Sequence, residues 1–167
     1  NTAPTNITLS TATVNENNLA GAGIIDLTAI DANIGEAFTY TLVAGTGDTD
    51  NASFTINGSS LQAVASFDFE TKTSYSFRLK VTDKGGLSFE KEFTITVTDV
   101  NEAPTALALT GTSVLENAAS GTAVGTLAGT DADAGDTHTY TLVSGTGSTD
   151  NASFTITGTT ISTAAVF

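Results

Sequence analysis

The sequence contains no cysteine, methionine or tryptophan, two prolines and a single histidine. Without cysteine there are no disulfides, no thiolate metal sites and no thiol redox chemistry. A small module of this kind draws its stability from elsewhere, and metal binding is one route. Positive charge is scarce too: 5 Lys and Arg stand against 18 Asp and Glu, for a formal net charge of -13. Those cations, Lys72, Arg78, Lys80, Lys84 and Lys91, share one segment, and none occurs from Glu92 onward. Nucleic acid is therefore not an expected partner, because neutralising phosphates needs the opposite sign. No apolar run approaches the length of a membrane span, and no basic-then-apolar signal opens the chain, so membrane insertion is not expected either.

What is present is an internal repeat of about 100 residues without gaps. Asn1-Thr-Ala-Pro-Thr5 matches Asn101-Glu-Ala-Pro-Thr105, and Thr49 to Ile56 recurs letter for letter at Thr149 to Ile156. This divides the chain into a complete repeat, 1–100, and a second, 101–167, that ends before its last strands. The abrupt ends lead us to expect a piece of a longer chain. At the boundary lies Thr98-Asp-Val-Asn-Glu-Ala-Pro104, where proline fixes its own φ and holds Ala103 extended. The segment reads as a stiff connector carrying carboxylate and amide oxygens.

Within the repeat the apolar period is two. Phe38/Tyr40/Leu42, Tyr75/Phe77/Leu79/Val81 and Phe93/Ile95/Val97 alternate with Thr, Ser, Arg, Lys and Glu, as strands with one buried face do. Strands are expected near 6–15 (interrupted), 23–29, 37–43, 52–57, 60–65, 74–82 and 89–98, with a hairpin turn at Asn57-Gly58. The fold class that follows is all-β: tandem seven-stranded immunoglobulin-like β-sandwiches. In the second repeat, core-facing Tyr140, Leu142, Phe154 and Ile156 would lack a partner sheet, to be supplied by further chain or by a neighbouring copy.

Strand parity then sorts the acids between the two poles of the sandwich. Glu16, Asp68, Glu70, Asp99 and Glu102 fall at one pole of the first repeat, and Asp131 and Asp133 at the facing pole of the second. Asp31, Asn33 and Asp83 fall at the first repeat's opposite pole. Carboxylates about 4 Å apart repel by roughly 1 to 4 kcal/mol per pair, depending on the local dielectric. With no Lys or Arg expected near the boundary, a hard divalent ion with six to eight oxygen ligands is the candidate. Asp48, Asp50 and Asp150 sit in a glycine-rich turn and read as ordinary turn formers. His138, whose counterpart is Phe38, reads as an exposed strand-end residue.

These motifs resemble the cadherin repeat, in the form found in very large bacterial surface and secreted proteins. The resemblance rests on Glu16-Asn17 and Glu116-Asn117, on Asp131-Ala132-Asp133, on Asp68-Phe69-Glu70, on the Asp83 to Gly86 turn and on the linker Asp99 to Pro104. It implies calcium bound between successive repeats, with Glu16, Asp68, Glu70, Asp99, Asn101, Glu102, Asp131 and Asp133 as ligands. The carbonyls of Val100 and Ala103 are possible additions. Compared with the animal form, the linker is one residue shorter and has Glu102 in place of an aspartate, which leaves the ion count open.

The expected function is a non-catalytic, calcium-binding extender or cell-adhesion module of a large extracellular bacterial protein, in which calcium stiffens the linker. Its expected partners are neighbouring repeats of the same chain and a homophilic, cell-surface or glycan ligand. The alternative is a carbohydrate-binding module, which would need an exposed aromatic platform. An enzyme is not expected: placement at a repeat boundary accounts for the paired acids, and residues 1–100 contain no His or Cys for a nucleophilic set.

Overall fold

The computed structural model describes all residues from Asn1 to Phe167 and divides into two compact units, Asn1–Val100 and Asn101–Phe167. The first is a sandwich of two four-stranded sheets. Its strands are β1 (Asn6–Leu9), β2 (Thr13–Asn15), β3 (Gly23–Ile30), β4 (Thr39–Leu42), β5 (Phe54–Asn57), β6 (Ser60–Ala63), β7 (Ser74–Thr82) and β8 (Ser88–Thr98). One sheet has the order β1-β3-β6-β5 and the other β2-β8-β7-β4.

The interrupted first strand resolves into two strands that belong to different sheets. β1 pairs antiparallel with β3, whereas β2 pairs parallel with β8. Between them, Ser10 N donates to Asp26 O at 2.9 Å and Thr96 N donates to Ala12 O at 3.0 Å, so the backbone is passed from one sheet to the other without losing its partners. The parallel β2–β8 pairing brings the ends of both strands to one pole, and with them Glu16 and Asp99.

The period-two pattern fills the space between the sheets. Ile7, Ile25, Leu27, Phe54, Leu61 and Ala63 are buried from one side, and Val14, Tyr40, Phe77, Leu79, Val81, Ile95 and Val97 from the other. Each large side chain so buried stabilises the unit by about 1.5–3 kcal/mol. Phe54 anchors an aromatic group, with ring centroids 5.9 Å from Phe67, 6.1 Å from Tyr75 and 4.8 Å from Phe77. These rings are engaged with one another and do not form the exposed platform that a sugar-stacking site requires.

The expected hairpin is present but its loop is offset by one residue. Asn57 pairs with Ser60, so the two-residue loop is Gly58-Ser59, with Gly58 at φ 62°. The left-handed position falls on the glycine, which has no Cβ to oppose it.

The second unit has one four-stranded sheet, ordered β11-β12-β10-β9, from β9 (Ala106–Thr110), β10 (Ala123–Thr130), β11 (Phe154–Thr157) and β12 (Thr160–Thr163). The strand expected at the counterpart of 37–43 does not form. Thr139-Tyr-Thr-Leu142 has the same letters as β4 but carries no strand, whereas β4 is held by β7 in the register Thr39↔Thr82 to Leu42↔Leu79. Residues 101–167 do not extend to the counterpart of β7, and strand formation follows the partner rather than the local sequence. Of its apolar side chains only Leu127 is buried.

Candidate metal centre

At the β2–β8 end of the first unit, Glu16 is 4% exposed although it carries a carboxylate. Three pieces of backbone hold it there. Its own N–H donates to Thr98 O at 3.1 Å, its Oε2 accepts from Phe69 N at 2.8 Å, and its Oε1 accepts from Val100 N at 2.8 Å. Asn17 follows at φ 57°, a left-handed turn that aims its N–H at Phe67 O, 3.0 Å away. Glu16, Glu70 and Asp99 each offer a carboxylate oxygen, and these oxygens all lie within 4.8 Å of one another. Oxygens on opposite sides of a hard cation with bonds of about 2.4 Å are separated by about the same distance. The trio therefore fits inside one coordination sphere.

Asp68 stands outside this trio. Its Oδ1 accepts from Thr71 N at 2.8 Å and its carbonyl accepts from Lys72 N at 2.9 Å, so it closes a turn. That turn presents Lys72, the cation nearest in sequence to the cluster, to Asp50, with which it forms an ion pair. Asp50 is thus more than a turn former: its Oδ2 also accepts from Ser76 N at 2.9 Å. Burial pushes the Asp50 carboxyl upward, but the Lys72 hydrogen bond, the Ser76 N–H and the Lys72 charge outweigh it and hold the pKa below the ordinary value.

A second trio, Asp31, Glu36 and Asp83, meets the same distance condition at the other end of the first unit. Asp83 is satisfied, accepting from Asn1 Nδ2 at 2.9 Å on Oδ2 and from Leu87 N at 2.9 Å on Oδ1. Asp31 Oδ1 accepts from Asn33 N at 2.8 Å. Asp31 Oδ2 and Glu36 Oε2 are buried and receive no hydrogen bond. Two such oxygens are costly unless a cation takes them up, and the all-oxygen donor set suits a hard one. Sequence reasoning named Asp31, Asn33 and Asp83 for this end and missed Glu36. The signal was there, since Glu36 and its counterpart Asp136 are both acidic. Asn33 serves instead as an acceptor for Thr2, whose N and Oγ1 both approach its Oδ1 at 2.8 Å.

In the second unit, Glu102 N donates to Asp133 Oδ2 at 2.7 Å, and Asn101 Nδ2 donates to Glu102 O at 2.7 Å. Asp133 N in turn donates to Asp131 Oδ1 at 3.3 Å. The Asp131 side chain is 5% exposed, and its Oδ2, which accepts no hydrogen bond, lies 3.9 Å from His138 Nε2. His138 is therefore not the exposed strand-end residue expected; its side chain is 19% exposed and edge-on to Tyr140. Room for it comes from Gly129, where a Cβ would stand 2.3 Å from the imidazole Cδ2. Glu116, the counterpart of Glu16, is exposed.

The architecture is all-β and has the fold of cadherin extracellular domains. The crystal structure of human protocadherin-24 EC1-2 superposes with a TM-score of 0.68 at 18% identity, covering 98% of this chain and 79% of that one. Protocadherin gamma B7 extracellular cadherin domains 1-4 give a TM-score of 0.56 at 20% identity, covering 96% of this chain and 41% of that one. In sequence, the chain is 37% identical over 102 residues to Protocadherin Fat 2 of Rattus norvegicus, a match covering 58% of this chain and 2% of that protein. No protein-family model matches the chain. No helix is long and apolar enough to cross a membrane.

Proposed function

We propose that the chain is a non-catalytic, calcium-binding extender or adhesion module of a large extracellular protein, built from cadherin-like repeats, one complete (1–100) and one partial (101–167). The linker Asp99 to Pro104, one residue shorter than in the animal form, favours the bacterial surface type. Calcium is held by Glu16, Asp68, Glu70, Asp99, Asn101, Glu102, Asp131 and Asp133, and its binding stiffens that linker. Partners are neighbouring repeats and a homophilic or cell-surface ligand.

The observation that carries the proposal is the Glu16, Glu70 and Asp99 trio, whose oxygens converge within 4.8 Å at the point where the linker begins. Glu16 supplies the rigid floor, because backbone N–H groups fix both of its oxygens. When bound, calcium supplies positive charge that converts mutual repulsion of the acids into attraction. Asp68, closing its turn beside Glu70, reaches the ion through its remaining oxygen or by positioning Glu70. The unsatisfied Asp31 Oδ2 and Glu36 Oε2 support a further ion at the opposite end.

The test is a calcium titration followed by melting and small-angle scattering. Millimolar calcium raises the melting temperature and narrows the distribution of solution shapes. Asp99→Ala and Asp133→Ala remove the response, and Asp50→Ala, which breaks only the Lys72 pair, retains it. Identical melting and scattering in calcium and in chelator would refute the reading.

A further inference from the structure

We infer that Asn57, at the tip of the β5–β6 hairpin, is an N-glycan attachment site that takes a sugar from a donor activated as a phosphate ester. The inference does not rest on the calcium reading.

Four segments have the Asn-x-Ser/Thr spacing that N-glycosyl transfer requires: 6–8, 51–53, 57–59 and 151–153. The fold engages three of them. Asn6 is half-buried, and its Oδ1 accepts from Ile7 N at 2.9 Å and from Lys91 Nζ at 3.0 Å. Ile7 beside it is fully buried, and Thr8 Oγ1 donates to Thr28 O at 3.3 Å. Presenting this segment to a transferase would pull a core side chain out of the sandwich. Asn51 Nδ2 donates to Val43 O at 2.9 Å while its Oδ1 accepts from Arg78 N at 2.9 Å. Asn151 Nδ2 donates to Val143 O at 2.9 Å in the same way. Since Nδ2 is the atom that a glycan joins, the acceptor nitrogen of both is already committed to backbone.

Asn57 differs on every count. Asn57, Gly58 and Ser59 are all exposed, and no hydrogen bond engages the Asn57 amide or the Ser59 hydroxyl. Asn57 and Ser60 form the last pair of the ladder, and a Cβ built at Gly58 would meet nothing within 4 Å, so the tip stands in open space. The second unit shows that the hairpin does not need this asparagine. There Thr157 pairs with Thr160 around Gly158 at φ 60°, the same loop with threonine in the equivalent place. The Asn57 amide is thus free of a folding role and sterically open to a bulky, hydrophilic substituent.

In the transfer, Nδ2 bonds to the anomeric carbon of the sugar as the bond from that carbon to the donor's phosphate oxygen breaks. The phosphate leaves with the electron pair, and Nδ2 gives up one proton to a base of the transferase. Two donors share this chemistry, a lipid-linked pyrophosphoryl oligosaccharide and a nucleoside diphosphate hexose.

The test uses the full chain in two arms. In one it is secreted by a host that transfers oligosaccharide from the lipid donor; in the other it is incubated with uridine diphosphate glucose and a soluble N-glucosyltransferase. Peptide mass mapping of the folded protein reads all four segments. Sugar on Asn57 in either arm, with Asn6, Asn51 and Asn151 bare, is the expected result, and the mass of the adduct distinguishes the donors. Asn57→Thr, which gives the first hairpin the residue of the second, should abolish the modification and leave the melting temperature unchanged. Thr157→Asn should create an equivalent modification on the second unit. A bare Asn57 in both arms would overturn the inference. So would occupancy of Asn51 or Asn151 equal to that of Asn57 in the folded chain, because exposure would then not be what selects the site.

Discussion

Replacing Glu16 by Gln gives the sharpest separation between a cation-binding carboxylate and a merely structural one. The substitution keeps the size of the side chain and one acceptor oxygen, so one of the two 2.8 Å bonds, from Phe69 N or Val100 N, meets an amide NH₂ instead. Losing a hydrogen bond to a charged acceptor costs about 1.5–3 kcal/mol. In chelator this loss is offset, because neutralising Glu16 removes its repulsion with Glu70 and with Asp99, each about 1 kcal/mol at these separations in water. The net change without an ion is roughly 0–1 kcal/mol. With calcium bound there is no repulsion left to relieve and a ligand is gone, so the cost is the full 1.5–3 kcal/mol or so plus the weakened binding linkage. The gap between the two conditions is therefore about 2 kcal/mol or more, which for a unit of this size is about 8–16 °C in melting temperature. Thermal unfolding of Glu16→Gln and of the unsubstituted chain, each in calcium and in chelator, reads this gap. Equal destabilisation in both conditions would show that Glu16 does no more than tie three backbone segments together.

Other perturbations separate the remaining contributions. Asp31→Asn and Glu36→Gln should each raise the melting temperature slightly in chelator, by relieving a buried carboxylate repulsion of about 1 kcal/mol, and lower it in calcium; destabilisation in both conditions would argue against an ion there. Lys72→Ala should cost about 1 kcal/mol at neutral pH, since the lysine side chain is 40% exposed and solvent screens the pair. Because the folded Asp50 pKa lies below its unfolded value, this contribution is fully present above the unfolded pKa, near 4, and is lost as pH falls through the folded one. Denaturant melts at pH 7 and pH 3 should therefore show the Lys72→Ala penalty only at the higher pH. Phe77→Ala, at a fully buried position between the sheets, should cost about 3–5 kcal/mol in the same assay.

Much of the first unit was legible in the sequence because its strands have one wet and one dry face, and Tyr75 to Val81 alternates accordingly. The parity of those strands also placed Glu16, Glu70 and Asp99 together, since parity depends only on counting reversals. Less legible were features set by single contacts. Asp50 sits among glycines like any turn residue, and only the turn closed by Asp68 reveals that Lys72 reaches it. His138 looked exposed because its counterpart is an uncharged aromatic, and its place beside Asp131 depends on Gly129 lacking a Cβ. The offset of the Gly58-Ser59 loop likewise follows from which residue tolerates a positive φ.

The segment Thr-Tyr-Thr-Leu makes the same point as an internal control. At 39–42 it is a strand with Tyr40 buried; at 139–142 it is not a strand, and Leu142 is exposed. Identical letters exclude intrinsic propensity as the cause, and the difference lies in the presence of β7 beside one copy and not the other. The Tyr140 hydroxyl nevertheless accepts a hydrogen bond from Gly129 N at 2.7 Å, so the segment is tethered to β10 through its side chain. Such a segment loses less entropy on pairing than a free chain would, because one point of its register is already fixed.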